Sequence, residues 1–366
     1  MGSGSGGRHR ISSLLDHPIR TRRQRFPCVT LCQRADGVRL LKIFYFALGI
    51  LLLGFVIAEI DLAEVALQVS KVGFGILVLV GIYFIAFAID SISWQVAIRG
   101  VPLNGLWAYR IWKLRMVGES FNAVIPAGGM GGEPVKASML KSHYGINLRE
   151  GTASLILAKT INMIALVIFL IGGFALMIRA QALPQAYEYV AGAGLLAFAV
   201  GVFLFFVIQW LSITSLTGTW ISRWRMGRRV EDILHHIHDM DDRLVHFYTE
   251  TRGRFAAALF LALVNWMLGV VEIYYALVFL DRPVTWAEAW IIEAVAQMVR
   301  TGAFFIPAAI GVQEGAFLLI CGAITGSAPL GVAVSVIRRI REIIWIVWGF
   351  AVGALYSLNS PKEENV

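Results

Sequence analysis

Long apolar runs recur along the chain at about Leu41–Ile60, Phe74–Ile98, Ala153–Ile178, Tyr189–Ile213, Phe255–Leu280 and Gly331–Leu358. Each approaches or exceeds the roughly 20 residues that a helix needs to cross a bilayer. Two other stretches break the pattern. Leu106–Gly145 and Trp286–Pro329 mix aromatics, charges, glycines and prolines with apolar residues. Each such stretch can hold a re-entrant segment or a further pair of short helices. The expected architecture is therefore an all-α integral membrane protein with six clear spans and up to eight in all.

Basic residues set the expected orientation, because cytoplasmic loops accumulate Lys and Arg. Residues 212–254 hold seven arginines, and residues 1–42 hold nine Lys and Arg against Asp16 and Asp36. Both regions are expected in the cytoplasm. The connectors 61–72, 179–188 and 281–285 carry one basic residue each, Lys71, Arg179 and Arg282, and are expected outside. Both termini then fall in the cytoplasm, and the chain divides into a basic arm (1–40), a membrane repeat (41–180), a second repeat (181–358) and a polar tail (359–366). Three clear spans per repeat is an odd number, so the second repeat enters the membrane upside down relative to the first. Inverted repeats with broken helices near the midplane are a common plan for transporters.

The two irregular stretches share a motif. The first reads Asn122-Ala-Val-Ile-Pro126-Ala-Gly-Gly-Met-Gly-Gly-Glu133-Pro134-Val-Lys136, and the second reads Ile306-Pro307-Ala-Ala-Ile-Gly311-Val-Gln-Glu314. In both, a glutamate stands seven residues after the proline of an Ile-Pro pair. Proline removes a backbone donor and glycine weakens a helix, so the segment must break. Broken backbone inside a bilayer survives only where protein covers it or water lines it. Glu133 and Glu314 therefore read either as residues of a translocation cavity or as caps of short helices at the water edge.

Cations stand at matching places. Lys159 lies 33 residues after Pro126, while Arg339 and Arg341 lie 32 and 34 residues after Pro307. A cation at that depth needs a carboxylate, a water channel or a lipid phosphate. The simplest expectation pairs Lys159 with Glu133, and Arg339 or Arg341 with Glu314; the alternative for Arg338–Arg341 is a cluster that snorkels to the interface. Asn122, Lys136 and Arg300 complete the candidate translocation set, with Asp90, Glu119, Glu272 and Glu293 as further candidates for a polar lining.

Composition narrows the function. Mean hydropathy is +0.70 and only 15% of residues are charged, against about 25% in soluble domains. The net charge of +8 follows from the arm and the loops, so it points to anionic lipid surfaces rather than to nucleic acid. Residues 231–248 carry His235, His236, His238, Asp239, Asp242 and His246 beside an apolar stripe at helical spacing. They read as part of an amphipathic cytoplasmic helix over 223–250, lying on the membrane surface, rather than as a metal site. Cys28 and Cys32 lack a second pair for zinc. No Walker A loop, GxSxG or HExxH is present, so neither an enzyme nor a cofactor is expected.

The stretches Gly118-Glu-Ser-Phe-Asn-Ala-Val-Ile-Pro126…Gly132-Glu133-Pro-Val-Lys-Ala and Ile306-Pro307-Ala-Ala-Ile-Gly311-Val-Gln-Glu314-Gly-Ala, each followed by a span with basic residues, resemble the membrane domain of lysylphosphatidylglycerol synthase/flippase proteins. The resemblance covers about residues 40–358. It implies the flipping of a polar-headed phospholipid or glycolipid between leaflets, in a bacterial cytoplasmic (inner) membrane. Lys159 departs from the family pattern, where an arginine is more usual. The chain ends at Val366, so aminoacyl transfer by a soluble domain is not expected of it. Two other classes remain open: a non-catalytic accessory subunit of a lipid-biosynthesis enzyme, and a secondary transporter of a soluble solute.

Overall fold

A computed structural model of the chain describes residues 67, 69–98, 100–124, 130–180, 185–210, 252–304, 306 and 309–358. The basic arm, the run Leu41–Ile60, both prolines of the breaks, the helix expected over 223–250 and the polar tail lie outside the described residues. The described residues are helical, with no strand among them.

In chain order the helices are α1 (Gly75–Ala97), α2 (Gly105–Val124), α3 (Glu133–Tyr144), α4 (Leu148–Ala180), α5 (Gln185–Trp210), α6 (Arg252–Phe279), α7 (Trp286–Gly302), α8 (Val312–Thr325) and α9 (Ala328–Leu358). Among the described residues, three stretches are long and apolar enough to cross a membrane: Gly75–Ala97, Leu148–Arg179 and Arg252–Phe279. The 31-residue α9 is equally long but carries Arg338, Arg339, Arg341 and Glu342 in its middle.

A four-helix order occurs twice. A long helix (α1 or α6) leads into a shorter one (α2 or α7), then come the break, a helix of 12 or 14 residues (α3 or α8) and a long helix of 33 or 31 residues (α4 or α9). At 1.5 Å per residue, α3 and α8 reach only about 20 Å, too short to cross the hydrocarbon core. The α2–α3 pair folds back as a hairpin, with Tyr144 at the end of α3 lying 5.3 Å from Trp107 in the first turn of α2.

Local signals explain the ends. Gly145 after α3 and Gly326 after α8 take the left-handed conformation (φ 69° and 74°) that lets a helix stop and reverse within a few residues. A capping box opens α7: Thr285 accepts from the Glu288 amide at 3.2 Å, and the Glu288 carboxylate accepts from the Thr285 amide at 2.7 Å.

Packing follows the same doubled order. Among the described helices the most extensive contact joins α1 to α6. The long helix of each half then crosses the shorter second helix of the other: α9 packs on α2, and α4 packs on α7. Small residues allow both crossings. A Cβ at Gly349 would lie 1.9 Å from Ser120 Oγ, and one at Gly173 would lie 2.5 Å from the Ala294 methyl. Such close approach is how membrane helices gain dispersion contact without a hydrophobic driving force. The Ser120 hydroxyl lies 3.1 Å from the Met116 carbonyl of its own helix and 3.2 Å from the Ile346 carbonyl of α9, and Trp290 Nε1 donates to the Phe169 carbonyl at 3.1 Å.

Candidate functional site

Among the described residues, charged side chains of the helices fall into three groups, each with two carboxylates and two cations. In the first, Lys136 of α3 reaches Glu119 of α2 at 2.8 Å and Glu133 at 3.1 Å, and Lys159 of α4 stands 3.5 Å from Glu133. In the second, Arg339 of α9 reaches Glu314 of α8 at 2.8 Å and Glu342 at 2.9 Å, and Arg300 of α7 stands 3.4 Å from Glu342. In the third, Arg338 reaches Glu293 of α7 at 2.7 Å and Glu272 of α6 at 4.0 Å, while Arg341 bonds Glu272 directly. A separate pair joins Asp90 of α1 to Arg115 of α2. Neutrality within each group answers the demand of a low-dielectric interior, where an uncompensated charge is far more costly than a paired one.

Each break positions its glutamate through backbone geometry. Glu314 takes the third position of α8, so one oxygen accepts from the Gly311 amide at 2.7 Å while the other accepts from Arg339. It is a helix cap and a cation partner at once. Glu133 opens α3 just ahead of Pro134, which is well suited to a helix start because no intrahelical donor is needed there. Asn122 closes the loop from the α2 side. Its carbonyl accepts from the Gly132 amide at 2.6 Å and its amide donates to Glu119 at 3.1 Å. A Cβ at Gly132 would meet the Gly118 carbonyl at 1.9 Å, so only glycine allows the end of the break to rest on α2.

The charged groups face a cavity of about 1000 Å³. Glu119, Asn122 and Lys159 line it from the first half of the chain, and Glu272, Glu293, Arg300, Glu314, Arg338, Arg339, Arg341 and Glu342 from the second. Exposure grades the groups by depth. The side chains of Lys159 and Arg300 are each 39% exposed, whereas those of Glu272, Glu293, Arg338 and Arg341 reach at most 6%. The third group is thus a floor, and the first two form the rim. Arg341 also lies 3.8 Å from the centre of the Tyr83 ring, a cation–π contact that ties the floor to α1.

Most residues singled out from sequence meet here. Asn122, Lys159, Arg300, Glu314, Arg339 and Arg341 face the cavity. Glu133 and Lys136 sit beside it within the first group, with Lys136 only 3% exposed. Lys159 faces Glu133 and Arg339 faces Glu314, while Arg341 turns to Glu272 instead. Arg338 and Arg341 are buried by protein, so neither snorkels. Asp90 is satisfied by Arg115. Glu342 and Arg338 were missed as partners, although an arginine and a glutamate three residues apart on a helix (Arg339 and Glu342) is a readable signal. Among the described residues no group of three or more His, Cys, Asp or Glu is placed to hold a metal ion.

The polar cavity sits in a protein whose sequence from 42 to 349 matches the profile of the family described as lysylphosphatidylglycerol synthase TM region. The chain belongs to that family. It is an integral membrane protein of helical, apolar spans. It is also similar to a protein titled "UPF0104 membrane protein" from Methanothermobacter thermautotrophicus (strain Delta H), with 20% identity over 311 residues that cover 80% of this chain and 87% of the relative. No solved structure matches the chain.

Proposed function

We propose that this chain translocates a polar-headed lipid between the leaflets of its membrane, with the headgroup passing through the charge-lined cavity and the acyl chains remaining in lipid. The observation that carries this reading is the cavity itself: about 1000 Å³ of space in an apolar helical protein, with ionised side chains set among apolar ones in its wall. Ionisable residues inside a membrane are costly to keep, and substrate and ion pathways are among the functions that retain them.

Closed neutral groups suit a headgroup that carries both donors and acceptors. A lipid phosphate can take the place of a carboxylate beside Lys159 or Arg300, and the displaced carboxylate then meets an ammonium of the same headgroup, so a zwitterionic headgroup leaves the net charge of the group at zero. The doubled helix order and the doubled α9–α2 and α4–α7 crossings support two inverted repeats, residues 41–180 and 181–358, whose breaks approach the midplane from opposite sides. The distribution of Lys and Arg supports placing both termini in the cytoplasm of a bacterial cell, in its inner membrane.

The test is leaflet accessibility of headgroup-labelled lipids in proteoliposomes. The wild-type chain accelerates exchange of at least one lipid over empty vesicles, and Glu133→Gln and Glu314→Gln each slow it by roughly tenfold or more, the equivalent of one lost charge-assisted contact. If no lipid in a panel of phospholipids and glycolipids moves faster than in empty vesicles, the proposal fails and an accessory role beside a lipid-biosynthesis enzyme takes its place.

A further inference from the structure

The carboxylates of the three charge groups differ in what their two oxygens hold. Glu119 gives one oxygen to Lys136 at 2.8 Å and the other to Asn122 at 3.1 Å. Glu293 takes Gln297 at 2.8 Å and Arg338 at 2.7 Å on separate oxygens, and Glu314 divides its pair between the Gly311 amide and Arg339. Glu272 and Glu342 each have an arginine nitrogen within 4.0 Å of either oxygen. Glu133 is built otherwise. Its Oε1 holds Lys136 at 3.1 Å, Lys159 at 3.5 Å and Asn122 at 3.5 Å, while its Oε2 is buried with no hydrogen bond.

That asymmetry decides where a proton can go. A carboxylate oxygen that accepts an N–H must give up that donor to become an O–H. Glu133 Oε2 has no donor to give up. The groups facing Glu133 are Glu119 and Asn122 from α2, Lys159 from α4 and Lys136 on its own helix. Lys136 keeps Glu119 whether or not Glu133 is charged, whereas Lys159 has Glu133 as its ion-pair partner and lines the cavity. Charge counting then links the proton to the headgroup. Two carboxylates and two lysines sum to zero. A lipid phosphate set beside Lys159 leaves one negative charge in excess, and a proton on Glu133 alone leaves one positive charge. Each by itself is uncompensated charge in a low-dielectric interior, and the two together restore neutrality.

We propose that Glu133 is a proton-binding site, and that an anionic lipid headgroup enters the cavity together with one proton carried on Glu133 Oε2. This rests on the cavity accepting a lipid headgroup, as proposed above. A proton from water forms the O–H bond on Oε2, and Lys159 leaves Oε1 for an oxygen of the phosphate. When the headgroup departs, Oε2 returns its proton to water and Lys159 closes on Glu133 again. A zwitterionic headgroup brings its own cation and takes no proton. A phosphate and a proton that cross together move no net charge, so a pH difference across the membrane drives the anionic lipid in the direction of the proton.

Proton uptake on binding is counted directly, without any transport. The purified protein in detergent is titrated with phosphatidylglycerol or phosphatidylethanolamine by calorimetry, near neutral pH, in two buffers of different ionisation enthalpy. Phosphatidylglycerol takes up about one proton per lipid bound and its affinity falls about tenfold per pH unit as pH rises, while phosphatidylethanolamine takes up none. Glu133→Gln, a neutral mimic of the protonated carboxyl, binds phosphatidylglycerol with no uptake and with an affinity independent of pH. Glu133→Asp keeps a titratable carboxyl there and retains the uptake. Equal proton counts for the two lipids, or a count for phosphatidylglycerol that survives in Glu133→Gln, overturns the inference. Binding of both lipids with no proton counted sinks this inference alone, whereas binding of neither lipid sinks it together with the translocation reading.

Discussion

The two rim groups occupy corresponding places in the two halves of the chain yet are built from different charges. Glu133 and Glu314 begin the helices after the breaks, and Lys159 and Arg339 stand opposite them on the long fourth helices. At the matching place on the second helix the sign reverses, with Glu119 on α2 and Arg300 on α7. The fourth member compensates: a lysine on α3 (Lys136) completes one group, and a glutamate on α9 (Glu342) completes the other. What the halves share is neutrality and geometry rather than residue identity. Burial in a low-dielectric slab fixes the total charge, while the signs are free to move around the ring.

The chemistry of the cations separates the halves further. Arginine presents a fixed planar fork that binds two carboxylates at once, as Arg339 does with Glu314 and Glu342. Lysine is a compact charge on a flexible stem. In the first half one oxygen of Glu133 serves Lys136, Lys159 and Asn122 together, the last at 3.5 Å, while its other oxygen is buried without a partner. Glu314 has both oxygens bonded. The second half, resting on the deep floor group, is the braced side of the cavity; the first half is the adaptable side.

That contrast can be broken first by stability. Glu293→Ala leaves Arg338 and Arg341 to share Glu272 in the buried floor, one positive charge in excess, and is expected to cost about 3–5 kcal/mol, whereas Glu119→Ala, removing a part-exposed rim carboxylate, costs about 1 kcal/mol. Thermal unfolding of the detergent-solubilised variants measures both. Equal losses would show that the halves are braced alike.

Exchanging the cation types gives a smaller but sharper effect. Arg339→Lys cannot hold two carboxylates in one plane and should lower stability by about 1–2 kcal/mol, while Lys159→Arg should change it by less than about 0.5 kcal/mol because its side chain is part-exposed. The same unfolding assay reads the difference, and a larger loss in Lys159→Arg would reverse the assignment of braced and adaptable sides.

Much of this was legible in the sequence, and the limits have physical causes. The two breaks, the glutamates beyond them and the cations some thirty residues on follow from helix-breaking chemistry and the cost of intramembrane charge, so Glu133, Lys159, Glu314 and Arg339 could be named from spacing. The partners of Arg338 and Arg341 could not. Glu293 and Glu272 lie 45 and 69 residues away on other helices, and one charged run cannot tell which of its members faces which neighbour. Gly132 read as a helix breaker, whereas its structural demand is contact with the backbone of α2. An aromatic groove further along the same face of α9 left no trace at all, because Trp112, Trp348 and Phe84 look like any lipid-facing aromatics until three helices bring them together.

The central claim is that both halves line one water-filled space inside the bilayer. Single cysteines at Asn122 and Thr301, in a chain whose Cys28, Cys32 and Cys321 are replaced by serine or alanine, can be tested in proteoliposomes with a charged, membrane-impermeant thiol reagent, with Leu319→Cys as an exposed apolar control outside the cavity. The account predicts labelling at Asn122→Cys and Thr301→Cys and none at Leu319→Cys. Protection of both cavity positions, or labelling of all three alike, would contradict it.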